Sequence, residues 1–186
     1  MTKGMLYIRG ARIADELQET SLGVLQQNTM SFQPPSKFRQ NAVAPIQVRA
    51  LILVPMRGQR DQGQLKAEGT IVNGGHQYDS TILFHNVNYE DADRPDNITF
   101  VGNDKKEYHV MPINLAQSDA EVRCTCLDFY FTFSKWNQND KSLYGDPPQP
   151  YTPKTNRAPR NPTRKPGMCK HLLKMVQELR NERLIR

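Results

Sequence analysis

The sequence predicts an α+β fold: a small antiparallel β-sheet or barrel-like domain, a partly helical N-terminal arm, and a C-terminal helix tied back to the sheet across a long Pro/Arg-rich insertion. Three observations carry this expectation. Between residues 46 and 113, short runs rich in β-branched and aromatic residues alternate with Gly- and Asn-containing turns, the pattern of strands joined by hairpins. From Met168 onward, Leu172, Leu173, Val176 and Leu179 recur at the spacing of one helical stripe. Finally, every cysteine, with one of the four histidines, falls into Cys124-x-Cys126 … Cys169-x-His171.

Taken in order, residues 1–45 read as an arm and linker. Ile13, Leu17, Leu22 and Leu25 mark one helix, and the polar stretch 31–45 with its three prolines marks a connection. Residues 46–134 read as the β domain. Its strands are expected at Ile46–Met56, Gln64–Val72, Asp79–Tyr89, Asn97–Val101 and Glu107–Ile113, with turns at Asn73-Gly74-Gly75 and Gly102-Asn103-Asp104. A cysteine-bearing strand from Val122 to Phe133 closes the series. Alternation along it would put Cys124 and Cys126 on one face, and Leu127, Phe129, Phe131 and Phe133 on the other. Residues 121–186 form the last module: this strand, the insertion 137–166, and a helix over 168–183.

Three thiolates and one imidazole are the ligand set of a structural, four-coordinate zinc ion. Cys124, Cys126, Cys169 and His171 are therefore the expected metal ligands, holding one structural Zn2+. Pro166-Gly167 breaks the chain before the second pair, which places Cys169 and His171 in a first helical turn where the dipole favours a thiolate. Arg123 and Lys170 flank the ligands and are expected to offset the cluster's negative charge. The competing readings are buried reduced thiols or a single disulfide that would orphan one cysteine. The odd cysteine count and the lack of a signal peptide favour a reducing compartment. A catalytic zinc would keep one position open, and a Cys169 nucleophile has no evident group to orient His171.

The Cys-x-Cys, long gap, Cys-x-His arrangement at a helix start resembles the SWIM-type zinc finger over about residues 121–183, with a gap of 42 residues that is longer than usual for it. That family implies DNA binding or protein–protein contact. A wider likeness runs through Ser36–Pro45, Arg123–Phe129, the stretch from Trp136-Asn137 through Lys141–Gly145, and that from Asn161-Pro162 through Lys165–Leu172. These segments are similar to virion structural proteins of contractile-tailed bacteriophages. The resemblance implies a component of the particle, in the tail, baseplate or neck.

Charge is uneven along the chain. Residues 1–120 carry 12 Lys and Arg against 13 Asp and Glu, whereas 121–186 carry 13 against 6. Lys154, Arg157, Arg160, Arg164 and Lys165 come without an intervening acid, and are the candidate contacts to nucleic acid or to an acidic protein surface. Tyr144, Tyr151 and Trp136 lie near enough in sequence to stack on bases, while six prolines between 147 and 162 suggest an extended strap. No run approaches the roughly 18 apolar residues of a membrane span. His76, His85 and His109 lack a second ligand at metal spacing, and Glu90–Asp96 reads as an ordinary acidic turn.

These readings converge on a zinc-stabilised structural or assembly protein. It is expected to be a minor virion component contacting other virion proteins, made in a reducing host cytoplasm. The alternative is a SWIM-type nucleic-acid-binding protein using the basic C-terminal third. No membrane partner, small-molecule substrate or enzymatic activity is expected.

Overall fold

The structure is a computed structural model that describes residues 20–31, 45–56, 62–151 and 159–186. Among them the order is α1 (Leu22–Met30), β1 (Gln47–Met56), β2 (Gln62–Asn73), β3 (His76–Glu90), β4 (Ile98–Val101), β5 (Glu107–Val110) and β6 (Ala120–Cys124). A helical run follows in three pieces: α2 (Leu127–Phe129), a π-helical turn (Tyr130–Ser134) and α3 (Lys135–Asn139). The final element is α4 (Lys170–Asn181). The fold is thus α+β with a small antiparallel sheet.

Strand pairing follows from the turns. Gly74 and Gly75 sit at φ +58° and +81° between Asn73 and His76, which pair with each other. A two-residue hairpin loop with positive φ at both positions is open to glycine and strained for most other residues. The resulting β1-β2-β3 meander is antiparallel throughout. β3 is 15 residues long and serves two further partners on its other side: β6 along Ser80–Phe84, and β5 at Tyr89 and Glu90. β4 completes a hairpin with β5, so β1 and β4 are the sheet's outer strands. Between them, Asn103 N–H, just past β4, donates to Leu53 O at 3.0 Å.

One face of the sheet is buried with a period of two. Leu65, Ala67 and Ile71 of β2, Ile82 and Phe84 of β3, and Ala120, Val122 and Cys124 of β6 all turn inward. α4 covers this face with Leu172, Met175, Val176 and Leu179, each fully or almost fully buried. Gly69 occupies the same row as Ala67 and Ile71, and a Cβ there would lie 3.0 Å from Met175 Sδ. The missing side chain lets the helix sit down on the sheet. Each fully buried aliphatic or aromatic side chain here contributes about 1.5–3 kcal/mol, so α4 is held by its stripe and not by propensity alone. α1 adds Leu22 and Leu25 to the same core, and Ser21 caps it by accepting from Val24 N–H.

The expected strand from Val122 to Phe133 is corrected by the structure. β6 ends at Cys124, and the chain turns helical from Leu127. Cys126, at φ −75° and ψ 148°, is the cap that makes the change, its sulfur accepting from Phe129 N–H. The misreading has a physical cause, because positions four apart share a face in both periodicities. Phe129 and Phe133 are buried either way, but Leu127 is 69% exposed and Thr132 is buried, which is a helical pattern. The C-terminal helix is also shorter than the expected 168–183. Arg183 at φ +60° ends it, and Leu184 N–H returns to Leu179 O.

Of the helix expected through Ile13, Leu17, Leu22 and Leu25, the last two residues fall in α1, while Ile13 and Leu17 lie outside the described residues, as does most of the linker 31–45. Within the insertion, residues 152–158 are likewise outside them, and 159–169 contain no helix or strand.

Candidate metal centre

Three chain ends converge under α4. Cys124 is the last residue of β6, on the buried face and directly opposite Ser80 of β3. Cys126 caps α2, Cys169 caps α4, and His171 stands in the first turn of α4. The sulfurs and a ring nitrogen of these four residues all lie within 4.8 Å of one another, and all four residues are buried. Nδ1 is the His171 atom that faces inward, 3.8 Å from Cys124 Sγ and 4.0 Å from Cys169 Sγ. A tetrahedral ion with bonds of about 2.3 Å to sulfur and 2.0–2.1 Å to nitrogen sets its ligand atoms about 3.5–3.8 Å apart. Small side-chain rotations reach that geometry, so the cluster could bind one metal ion and is compatible with Zn2+.

The donor chemistry fits a cation as well as the spacing does. Cys126 N–H points at Cys124 Sγ (3.5 Å) and Phe129 N–H at Cys126 Sγ (3.3 Å). Amides of this kind spread the charge of bound thiolates. The thiols share charge unequally. Hydrogen bonds from Cys126 and Cys169, helped by Ser80 and the Cys126 amide, pull Cys124 down to about 4. Burial, and then its thiol neighbours, push Cys169 well above the ordinary range. The Ser80 hydroxyl is itself buried without a well-formed hydrogen bond among the described residues, and it borders Cys124. A divalent cation would let all three sulfurs ionise together.

His171 is positioned by groups that sequence reasoning did not find. Its ring stacks on Tyr78 with centroids 4.2 Å apart and planes 22° from parallel. The Asn73 side-chain Nδ2 lies 3.3 Å from Nε2. With Nδ1 on a metal, Nε2 would carry the ring proton, and the Asn73 amide, flipped so that Oδ1 takes the place of Nδ2, would accept it. Asn73 and Tyr78 flank the Gly74-Gly75 turn, 51 and 46 residues before the nearest cysteine in sequence, and nothing local marks them as a support.

The approach to Cys169 is built from buried asparagines. Asn137, fully buried, donates through Nδ2 to Gly167 O (3.1 Å) and accepts Gly167 N–H on Oδ1 (2.9 Å). Asn161 Nδ2 donates to Thr132 O at the π-helical turn and to Lys165 O. Met168 N–H donates to Thr29 Oγ1 of α1 at 2.7 Å. Gly167 is wedged between Phe133 and Thr29, where a Cβ would meet atoms at 2.7 and 2.8 Å. The helix 127–139 and α1 therefore hold the strap whose end delivers the second ligand pair.

The remaining candidates are placed differently. Arg123 does not face the cluster: it lies on the other side of β6 and donates to Tyr144 O and Asp146 O. Its role is to hold that loop, because alternation turns it away from Cys124. Lys170 is half-buried beside Cys169. Arg160 is exposed, its guanidinium 5.3 Å from the centre of the Phe131 ring, and Tyr151 meets the same ring edge-on at 4.8 Å. Arg164 and Lys165 are exposed; Lys154 and Arg157 lie outside the described residues. His85 joins Glu121 and Gln64, and His109 joins Thr99, both away from the cluster. Among the described residues, no helix is long and apolar enough to cross a membrane.

Fold and site together define an α+β chain carrying a buried Cys3His cluster of the kind found in zinc fingers. Comparison with protein-family models, with curated proteins and with solved structures finds no match for the chain.

Proposed function

We propose that the chain is a zinc-stabilised structural and assembly protein that works through protein–protein contacts. One observation carries the reading: four potential ligand atoms, all on buried residues, lie within 4.8 Å of one another. A tetrahedral ion there has no open position for water or substrate, which supports a structural ion over a catalytic one. The ion would staple β6, α2 and α4 together, and zinc coordination adds on the order of 10 kcal/mol to the folding of such modules. That gain lets a chain with only 37% hydrophobic residues and 13 prolines hold a fixed shape with long connections. On the sequence resemblance, the assembly is a contractile-tailed phage particle, in its tail, baseplate or neck.

A mass-spectrometric census of purified particles tests the location. Stoichiometric recovery with the particle supports it, and recovery only from particle-free extract overturns it. Replacement of Cys126 by Ser should release the metal and loosen the C-terminal third, read by metal analysis and proteolysis. Hydrolytic turnover by the zinc-loaded chain that Cys124→Ser abolishes without unfolding would overturn the structural role.

A second reading has one specific observation behind it. Arg160, Phe131 and the 57%-exposed Tyr151 form an aromatic and cationic surface beside the strap, the elements of a single-strand stacking platform. Retention of single- or double-stranded DNA at low salt, falling steeply as salt rises, would favour it. No retention at low salt removes it.

A further inference from the structure

The two outer strands of the sheet face each other without pairing. A groove of about 510 Å³ runs between Val48–Leu53 of β1 and Ile98–Asn103, with Leu179 and Leu184 among the residues beneath it. The hydrogen bond from Asn103 to Leu53 closes one end.

Backbone parity shows what the walls offer. Gly102 N–H donates to Lys106 O, toward β5. Alternation then turns the N–H and C=O groups of Thr99 and Val101 away from β5 and into the groove. On the opposite wall, Leu53 O reaches across to Asn103, so the backbone of Leu51 faces the same way. Pro55 shares that parity, and its missing N–H costs nothing on an open edge. Among the described residues, β1 pairs with β2 alone and β4 with β5 alone. Both walls therefore present hydrogen-bonding edges to the same space.

Side chains narrow the occupant further. Ile52 and Val101 stand on the two walls at 48% and 67% exposure, unusually open for large apolar residues in strands. Glu178 and Glu182 of the α4 end line the groove with Arg49 as the one cation among its lining residues, and Lys174 Nζ lies 3.9 Å from Glu178. Open edges of this kind accept an added strand through main-chain bonds, with alternate side chains setting specificity.

We infer that this groove docks an extended segment of a partner polypeptide, one that alternates apolar with other residues and carries Lys or Arg toward Glu178 and Glu182. Because Leu53 and Asn103 already bond to each other, the open wall is about four residues long and accommodates a strand of about 13 Å. The added strand bonds to the Thr99 and Val101 edge of β4, with β1 across the groove. This gives the assembly reading a partner surface, yet it stands on the sheet edges and not on the metal, so either can fail alone.

The test pans a displayed library of random ten-residue peptides on the intact, zinc-loaded chain. Recovered peptides should share the alternating, basic pattern and protect the Thr99 and Val101 amides from hydrogen exchange. Val101→Pro removes one groove-facing donor, and Glu182→Lys reverses the charge; each should weaken binding about tenfold or more. Glu182 is exposed, so its variant carries the test if Val101→Pro does not fold. Recovery of no peptide, recovery of peptides without this pattern, or equal binding by Glu182→Lys overturns the inference. Concentration-dependent dimerisation that protects the same amides assigns the groove to a second copy, and also overturns it.

Discussion

Replacing Asn137 by Ala should be among the most damaging single changes outside the metal ligands. The side chain is fully buried, and both ends of its amide bond to the Gly167 backbone, at 3.1 and 2.9 Å. Alanine leaves the Gly167 N–H and C=O buried without partners, and an orphaned buried polar group costs about 1–3 kcal/mol. Some relaxation of the strap offsets part of this, so the loss is about 2–4 kcal/mol. In a chain of this size, 1 kcal/mol moves the melting temperature by about 2–4 °C. A fall of roughly 5–15 °C follows. Because Gly167 leads directly to Cys169, the same variant should lose zinc to a chelator faster than the unaltered protein. Gln138→Ala, at the exposed neighbouring position, is the control and should change neither quantity. An Asn137→Ala protein that melts with the unaltered one and releases zinc at the same rate would refute the claim that this amide positions the strap.

Three further outcomes are expected. Gly167→Ala drives a methyl to 2.7 Å from a Phe133 ring carbon and 2.8 Å from Thr29 Oγ1, and should lower stability in denaturant titration by about 1–3 kcal/mol. Asn73→Ala removes the side-chain amide that lies 3.3 Å from His171 Nε2 and should weaken metal affinity about 10- to 100-fold, measured against a chromophoric chelator. Joint replacement of Arg157 and Arg160 by Glu should leave the melting temperature unchanged while weakening incorporation into the proposed assembly; undiminished incorporation would make the strap a passive connection.

Much of the sheet is legible in the sequence because its signals are local. Gly74-Gly75 fixes a hairpin, alternation in Gln64–Val72 separates inward from outward side chains, and Leu172–Leu179 is a clear stripe. The four candidate ligands are legible for another reason: three cysteines and a histidine leave little else for the pattern to mean. What escaped depends on tertiary context. The run Leu127–Phe133 alternates in composition, and only burial of Thr132 together with exposure of Leu127 reveals the helix. Asn137, Asn161 and Thr29 act on backbone about 30 to 140 residues away, a distance at which one sequence carries no trace. Arg123 looked like a counter-ion through adjacency, yet strand alternation sends it to the opposite face.

Zinc K-edge X-ray absorption on the purified protein, with the metal quantified on the same sample, addresses the centre of the account. One zinc per chain is expected, with three sulfur scatterers at about 2.3 Å and one nitrogen at about 2.0 Å. A chain free of stoichiometric metal, or an ion with oxygen ligands in place of these, would contradict it.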